Sequence, residues 1–338
     1  MKPNSRKWLD QFKEEIVNPE QEIVDSHHHL WSGSRKGRWS DYLLKDLWKD
    51  TDSGHNIRKT VFIECRSNYR TDGPEYMRSL GETEFAAKIA EESQKSLGAH
   101  AEVSAIVSFA DITLVNLLDE ILDAHEDAGR GLFRGIRYSG AFDENRESFI
   151  DPIRLVAKNL FSRKDFIKGV RKLGLRGLNY ESWLFHHQIK SFTDLAHAVP
   201  DTLLIMDHLG GPLGVGPYEG KQEEIFKKWK KDIEELAKCE NVFIKLGGMA
   251  MPNNGFAWHK QSIPPSSDEF VDKHGKYYLH AIECFGPNRC MFESNFPVEG
   301  VSISYHVLWN GFKKIVNHFS ENEKEMMFSN TATLVYNL

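Results

Sequence analysis

The segment IVDSHHHLW sets three histidines in a row at the end of an apolar run, at positions 27 to 29. Side chains along a strand alternate between its two faces, so His27 and His29 share one face and His28 takes the other. Two imidazoles on one face suit a divalent cation or a polarised substrate carbonyl. The bland alternative is a histidine-rich surface turn or a tag remnant, and the apolar flank argues against a tag. His208 ends a second apolar run in LLIMDHLGGP, where a Gly-Gly-Pro turn leaves room for a ligand against the backbone. Asp207 beside it is placed to orient an imidazole. A lone histidine would suggest core packing; HxH on one run and DH on another suggest one site.

Carboxylates and cations show the same pattern. In MFESNFPV, Glu293 and Asn295 are two residues apart and expected on one face, about 6–7 Å along the strand. A carboxylate turned to an interior is costly unless it is paired or working. Glu293 therefore either pairs with Lys245 of VFIKL or with Arg137, or serves as a general base with a raised pKa. Glu64 and Arg66 end the run FIECR, and FRGIR holds Arg134 and Arg137. An arginine there could clamp a substrate carboxylate bidentately or form a structural ion pair, with nothing to choose between them. Trp31, two residues past His29, is a candidate to line a substrate. His186 and His187 of WLFHHQI either cap a helix or turn into the site, and His186 is the candidate for the latter.

The elements that must position these residues are short apolar runs alternating with helical patterns, the mark of βαβ units and a parallel sheet. Candidate strands cover residues 22–27, 60–65, 103–109, 133–137, 178–183, 203–207, 242–246 and 290–294. TVFIE, LLIMD and VFIKL are nearly continuous in apolar residues, as strands buried on both faces are. Eight such units predict a single-domain (β/α)8 barrel over 22–338, preceded by a helical extension over 1–21. A period of 3.6 is clear at 226–239 and 303–319. Residues 66–82, 210–222 and 247–267 are long, rich in Gly, Pro and Ser, and come directly after strands. In a barrel they fall on the catalytic face as substrate-enclosing loops, their alternative being surface insertion.

With 43 Lys and Arg against 49 Asp and Glu, the net charge is −6, and no basic run is long enough to track a phosphate backbone. That argues against a nucleic-acid partner. The first 22 residues are charged throughout and lack the apolar core of a signal peptide. No apolar run approaches the roughly 18 residues of a membrane span. Four cysteines without CxxC spacing read as reduced thiols of a cytoplasmic protein.

Together IVDSHHHLW, FRGIRY, LFHHQI, LIMDHLGGPLGVGPY, VFIKLGGMAMP, PPSS and RCMFESNFPV resemble the lactonase-type branch of the amidohydrolase superfamily, amidohydrolase-related metal-dependent TIM-barrel hydrolases. The resemblance runs from about Glu22 to Leu338, ending in SNTATLVYNL. It implies that His27, His29 and His208 bind one divalent metal, zinc or manganese, or polarise the substrate carbonyl. It implies opening of a lactone, a sugar lactone or a pyrone or muconolactone carboxylate; a nonoxidative decarboxylase and a barrel that only binds its ligand are the alternatives. The family carries an Asp where this chain has Asn295, and often a small residue at Glu293. An amide cannot take up a proton as a carboxylate does, so metal binding and the identity of the base both stay open. A small-molecule substrate and a homo-oligomer are the expected partners.

Overall fold

A computed structural model describes residues 5–33, 41–145 and 156–338. Eight parallel strands succeed one another in sequence order: β1 Glu22–His28, β2 Asn56–Ile63, β3 Glu102–Ser108, β4 Phe133–Arg137, β5 Asn179–Ser182, β6 Leu204–Met206, β7 Val242–Leu246 and β8 Cys290–Phe292. The chain beyond β8 returns beside β1. His28 bridges Phe296, the Asn295 amide donates to the His27 carbonyl at 2.9 Å, and the Ser26 hydroxyl donates to the Phe292 carbonyl at 2.8 Å. These contacts close a single (β/α)8 barrel.

The barrel interior is filled by Val24, Val61, Ile63, Ala105, Val107, Ile205 and Met291, packed against Ala332 and Tyr336 of the closing helix α11, Thr331–Tyr336. Outside, amphipathic helices cover the strands. In α7, Gln222–Leu236, the residues Ile225, Trp229, Ile233 and Leu236 recur at helical spacing and are buried. In α9, Tyr305–Ile315, Leu308 and Phe312 do the same. The helix α8, Ser267–Phe285, is capped by Ser266, whose hydroxyl accepts from the Glu269 amide at 3.1 Å.

Three local features depart from expectation. The N-terminal extension is helical only over α1, Arg6–Leu9. Past this helix the chain forms a strap fixed by Glu14, which accepts from the Ser267 amide at 2.7 Å, and by Asn310, which accepts from the Val17 amide at 2.9 Å. β6 and β8 are three residues each, so Asp207, His208, Glu293 and Asn295 lie beyond the strand ends. Their backbone has left the extended form, with φ of 56° at His208 and 51° at Asn295, so strand alternation does not hold between Glu293 and Asn295. Finally, β1 carries a bulge. Asp25 pairs with Thr60 and His28 with Phe62, so three steps on β1 match two on β2.

That extra residue decides which histidines enter the barrel. Val24 faces the interior, and unbroken alternation from it would send His28 inward. After the bulge the parity reverses. His28 turns outward instead, with Nε2 3.1 Å from the Thr60 hydroxyl and its ring near Phe62. All four cysteines are free thiols, and no described helix is long and apolar enough to cross a membrane.

Candidate active site

His27 is the hub, its ring centroid lying 4.8 Å from that of His29 and 4.7 Å from that of His208. All three imidazoles are buried. His29 Nδ1 is 2.8 Å from the Ile63 carbonyl, which can only accept, so the proton sits on Nδ1 and Nε2 keeps a lone pair. His208 Nδ1 is 2.6 Å from Glu293 Oε1, which also accepts from the His208 amide at 3.0 Å. Glu293 Oε2 lies 2.8 Å from His27 Nδ1. One carboxyl thus spans the Nδ1 atoms of two histidines and sets the orientation of both rings.

The pair His27 Nε2 and His29 Nε2, 3.2 Å apart, has two consistent proton assignments. In one, His27 Nε2 donates to His29 while Lys245 Nζ, 3.3 Å away, donates to His27 Nδ1. In the other, His27 Nδ1 points to Glu293 and Arg137 Nη1, 3.3 Å away, donates to Nε2. The second turns two lone pairs toward one another, a geometry that a cation between them would relieve.

Around the histidines lies a buried ring of charge from successive strand ends. Arg137 donates through Nε to Glu64 Oε1 at 3.1 Å and through Nη2 to the Glu64 carbonyl at 2.6 Å. Lys245 donates to Glu181 Oε2 at 2.7 Å, and Tyr336 donates to Glu181 Oε1 at 2.7 Å. Asp207 lies 3.6 Å from both Lys245 and Arg137, and neither of its oxygens has a hydrogen-bond partner among the described residues. Four carboxylates, Glu64, Glu181, Asp207 and Glu293, therefore face two cations. Burial is the largest influence on the ionisation of Glu293, Glu181, His27 and His208. It pushes Glu293 well above the usual carboxyl range and Glu181 to about 7, against the pull of Lys245 in both cases. It pushes His208 down to about 3, and His27 well below an ordinary imidazole, where Lys245 adds to the effect.

Local sequence makes room for this. Gly248 has φ of 71°, and a Cβ there would sit 2.3 Å from the His208 Cβ. A Cβ on Gly247 would sit 2.3 Å from Glu293 Cγ, so the glycine pair of KLGG is what admits both side chains. His208 and Leu209 both adopt left-handed backbone, a conformation that costs non-glycine residues and collects at working sites.

The other candidates fall in different places. Glu293 touches the imidazoles, and its closest partners are neither Lys245 nor Arg137, which pair with Glu181 and Glu64. The Asn295 amide nitrogen donates to Glu299 at 3.4 Å. Arg137 is in the ring, whereas Arg134 donates to the carbonyls of Gly131 and Tyr336 at the opposite end of the barrel. Arg66 is exposed. Trp31 is buried among Leu30, Tyr42, Leu44 and Leu47, where it is core. His186 accepts from the Leu213 amide at 3.3 Å and packs on Tyr218, within the loops beyond β5 and β6. Glu181 and Tyr336 were not foreseen. Glu181 gave the signal that Glu293 gave, a carboxylate on a buried strand; Tyr336 gave none.

Histidines, carboxylates and two cations at the C-terminal ends of parallel strands place this cluster where α/β barrels carry their active sites. The amidohydrolase family model matches residues 24–338, and the chain belongs to that family, whose members are usually hydrolytic enzymes. It is 29% identical over 333 residues to an uncharacterized protein of Sinorhizobium fredii, covering 93% of this chain and 98% of the relative. It is 21% identical over 326 residues to an L-fucono-1,5-lactonase of Burkholderia multivorans, covering 93% and 96%. A crystal structure of an amidohydrolase from Burkholderia multivorans with bound zinc superposes with a TM-score of 0.72 at 20% identity, covering 94% and 99%.

Proposed function

We propose that this protein opens a neutral, polyhydroxylated lactone by hydrolysis. The observation that carries the reading is the anchoring of His29 on a main-chain carbonyl and of His27 and His208 against one carboxyl, which gathers three imidazoles where a carbonyl and a water can meet them. Water oxygen adds to the lactone carbonyl carbon, and its proton passes to an imidazole. The ring C–O bond then breaks, and the proton goes to the departing alkoxide, giving a hydroxy acid. Arg137 beside His27 offers N–H donors to the developing oxyanion.

The charge ring argues against lactones that carry a carboxylate. The charges of Arg137 and Lys245 are already matched by Glu64 and Glu181. A substrate carboxylate would find no unpaired cation among them; a sugar lactone needs none. The lactonase relative is in keeping with this choice.

The donor set fits a divalent cation. His27, His208 and Glu293 offer ligand atoms within 4.8 Å of one another, and His29 Nε2 adjoins His27. His27, His29, His208 and Glu293 are the residues that would hold zinc or manganese. When bound, the ion would polarise the carbonyl and lower the pKa of water.

The test is a panel of sugar lactones, muconolactones, pyrone carboxylates and peptide amides, run with and without chelator. Sugar lactone turnover that falls on chelation and returns with zinc or manganese is expected. Amide turnover alone, or turnover confined to carboxylated lactones, would refute the proposal.

A further inference from the structure

We propose that Lys245 occupies a second cation seat, formed by His27, Glu181 and Asp207, and that its ammonium serves there as a built-in substitute for a divalent ion. The three residues offer an imidazole nitrogen and two carboxylate oxygens within 4.8 Å of one another. Those are the donor types that zinc and manganese take. Lys245 Nζ stands among them, 2.7 Å from Glu181 Oε2, 3.3 Å from His27 Nδ1 and 3.6 Å from Asp207 Oδ1.

Two further observations mark the seat as built for a cation. Asp207 is fully buried and, among the described residues, both its oxygens lack a hydrogen-bond partner, so one carboxylate is turned toward the ammonium without being satisfied by it. From below, Tyr336 fixes Glu181 through its hydroxyl and sets its ring 5.6 Å from the ammonium. An ammonium donates at most three hydrogen bonds and reaches two of the three donors here; a coordinating ion would draw in the third. The seat does not depend on the substrate, only on the donor chemistry of the site.

The test is Lys245→Ala, which removes the ammonium and leaves its volume. Metal content after gel filtration in excess zinc or manganese, and calorimetric titration, compare it with the wild type. The variant should bind one more equivalent than the wild type, whatever the wild type binds. Its thermal midpoint should rise on adding the ion through a step that the wild type lacks. The double variant Lys245→Ala with Glu181→Gln removes one donor and should lose the extra equivalent. The proposal is overturned if folded Lys245→Ala binds no more metal than the wild type. It is equally overturned if Lys245→Ala stays unfolded with the ion present, or if the double variant keeps the additional ion. None of these outcomes depends on lactone turnover, so failure of the lactonase reading leaves the test intact.

Discussion

Replacing Glu293 by Gln keeps the shape of the side chain and removes its charge. One oxygen still accepts, while the other becomes an NH2 group and faces a ring nitrogen that had faced an acceptor. Of the two imidazole contacts, at 2.6 Å to His208 and 2.8 Å to His27, one must therefore be lost or its histidine must change tautomer. A hydrogen bond to a charged group contributes about 1.5–3 kcal/mol. That loss is offset because the burial cost that pushes the Glu293 carboxyl upward disappears with it. The net stability change is thus about 1 kcal/mol, or some 2 °C in thermal midpoint. Turnover should respond differently. Either Glu293 exchanges the proton itself or it holds two histidines in the tautomer that does, and loss of such a group costs about 10²–10⁴ in kcat. Initial rates on the best lactone, with midpoints by calorimetry, separate the effects. A drop in kcat of at least about 100-fold at nearly constant KM and midpoint is expected, with Glu293→Asp restoring part of it. Full turnover in Glu293→Gln would refute the argument that this carboxyl organises the imidazoles.

Glu299 is buried, accepts from the Ala250 amide, and is pushed from 4.5 to about 8. The unfolded chain loses this proton near 4.5 and the folded one near 8, so stability is lost as pH rises between those values. Glu299→Gln should become the more stable protein across that window by several kcal/mol at most, read from midpoints at about pH 5 and 8.5; a gap that does not widen with pH would contradict this. Gly247→Ala forces a Cβ into Glu293 Cγ and should cost about 2 kcal/mol and most of the activity; a normal midpoint would show that the fit is looser than drawn. His274 is buried with neither ring nitrogen hydrogen-bonded among the described residues, against Phe256 at 4.5 Å and Phe270 at 5.1 Å. His274→Phe should raise the midpoint by removing the cost of that unsatisfied imidazole, and a lower midpoint would count against it.

The order of the barrel and the inward pairing of His27 with His29 were legible because both rest on short-range pattern: apolar runs, and a period of two. The interior position of Glu293 was legible for the same reason, but its partners were not. They depend on His208 leaving the strand in left-handed backbone, which a string of apolar letters does not encode. The packing of Trp31 on Tyr42, Leu44 and Leu47 was not legible, because nearness in sequence to His29 says nothing of which later residues fold back onto it. Asn295 turned to Glu299, since β8 ends three residues before it. The role of Tyr336 could not be read at all, because it arises from a chain end folding back under the barrel.

The bulge in β1 gives the strand a residue of slack. The half that includes Val24 belongs to the packed interior, and the half that includes His27 and His29 belongs to the chemistry. Because the mismatch with β2 is absorbed between Asp25 and His28, each half is registered by its own neighbours: Thr60 on one side, Phe62 and Phe296 on the other. Deleting Ser26 should straighten the strand and sacrifice its bond to the Phe292 carbonyl, yet leave both imidazoles pointing inward. Length variation is thereby tolerable within a single turn of chain from a site whose own geometry admits none, so the scaffold and the chemistry of this barrel can drift separately.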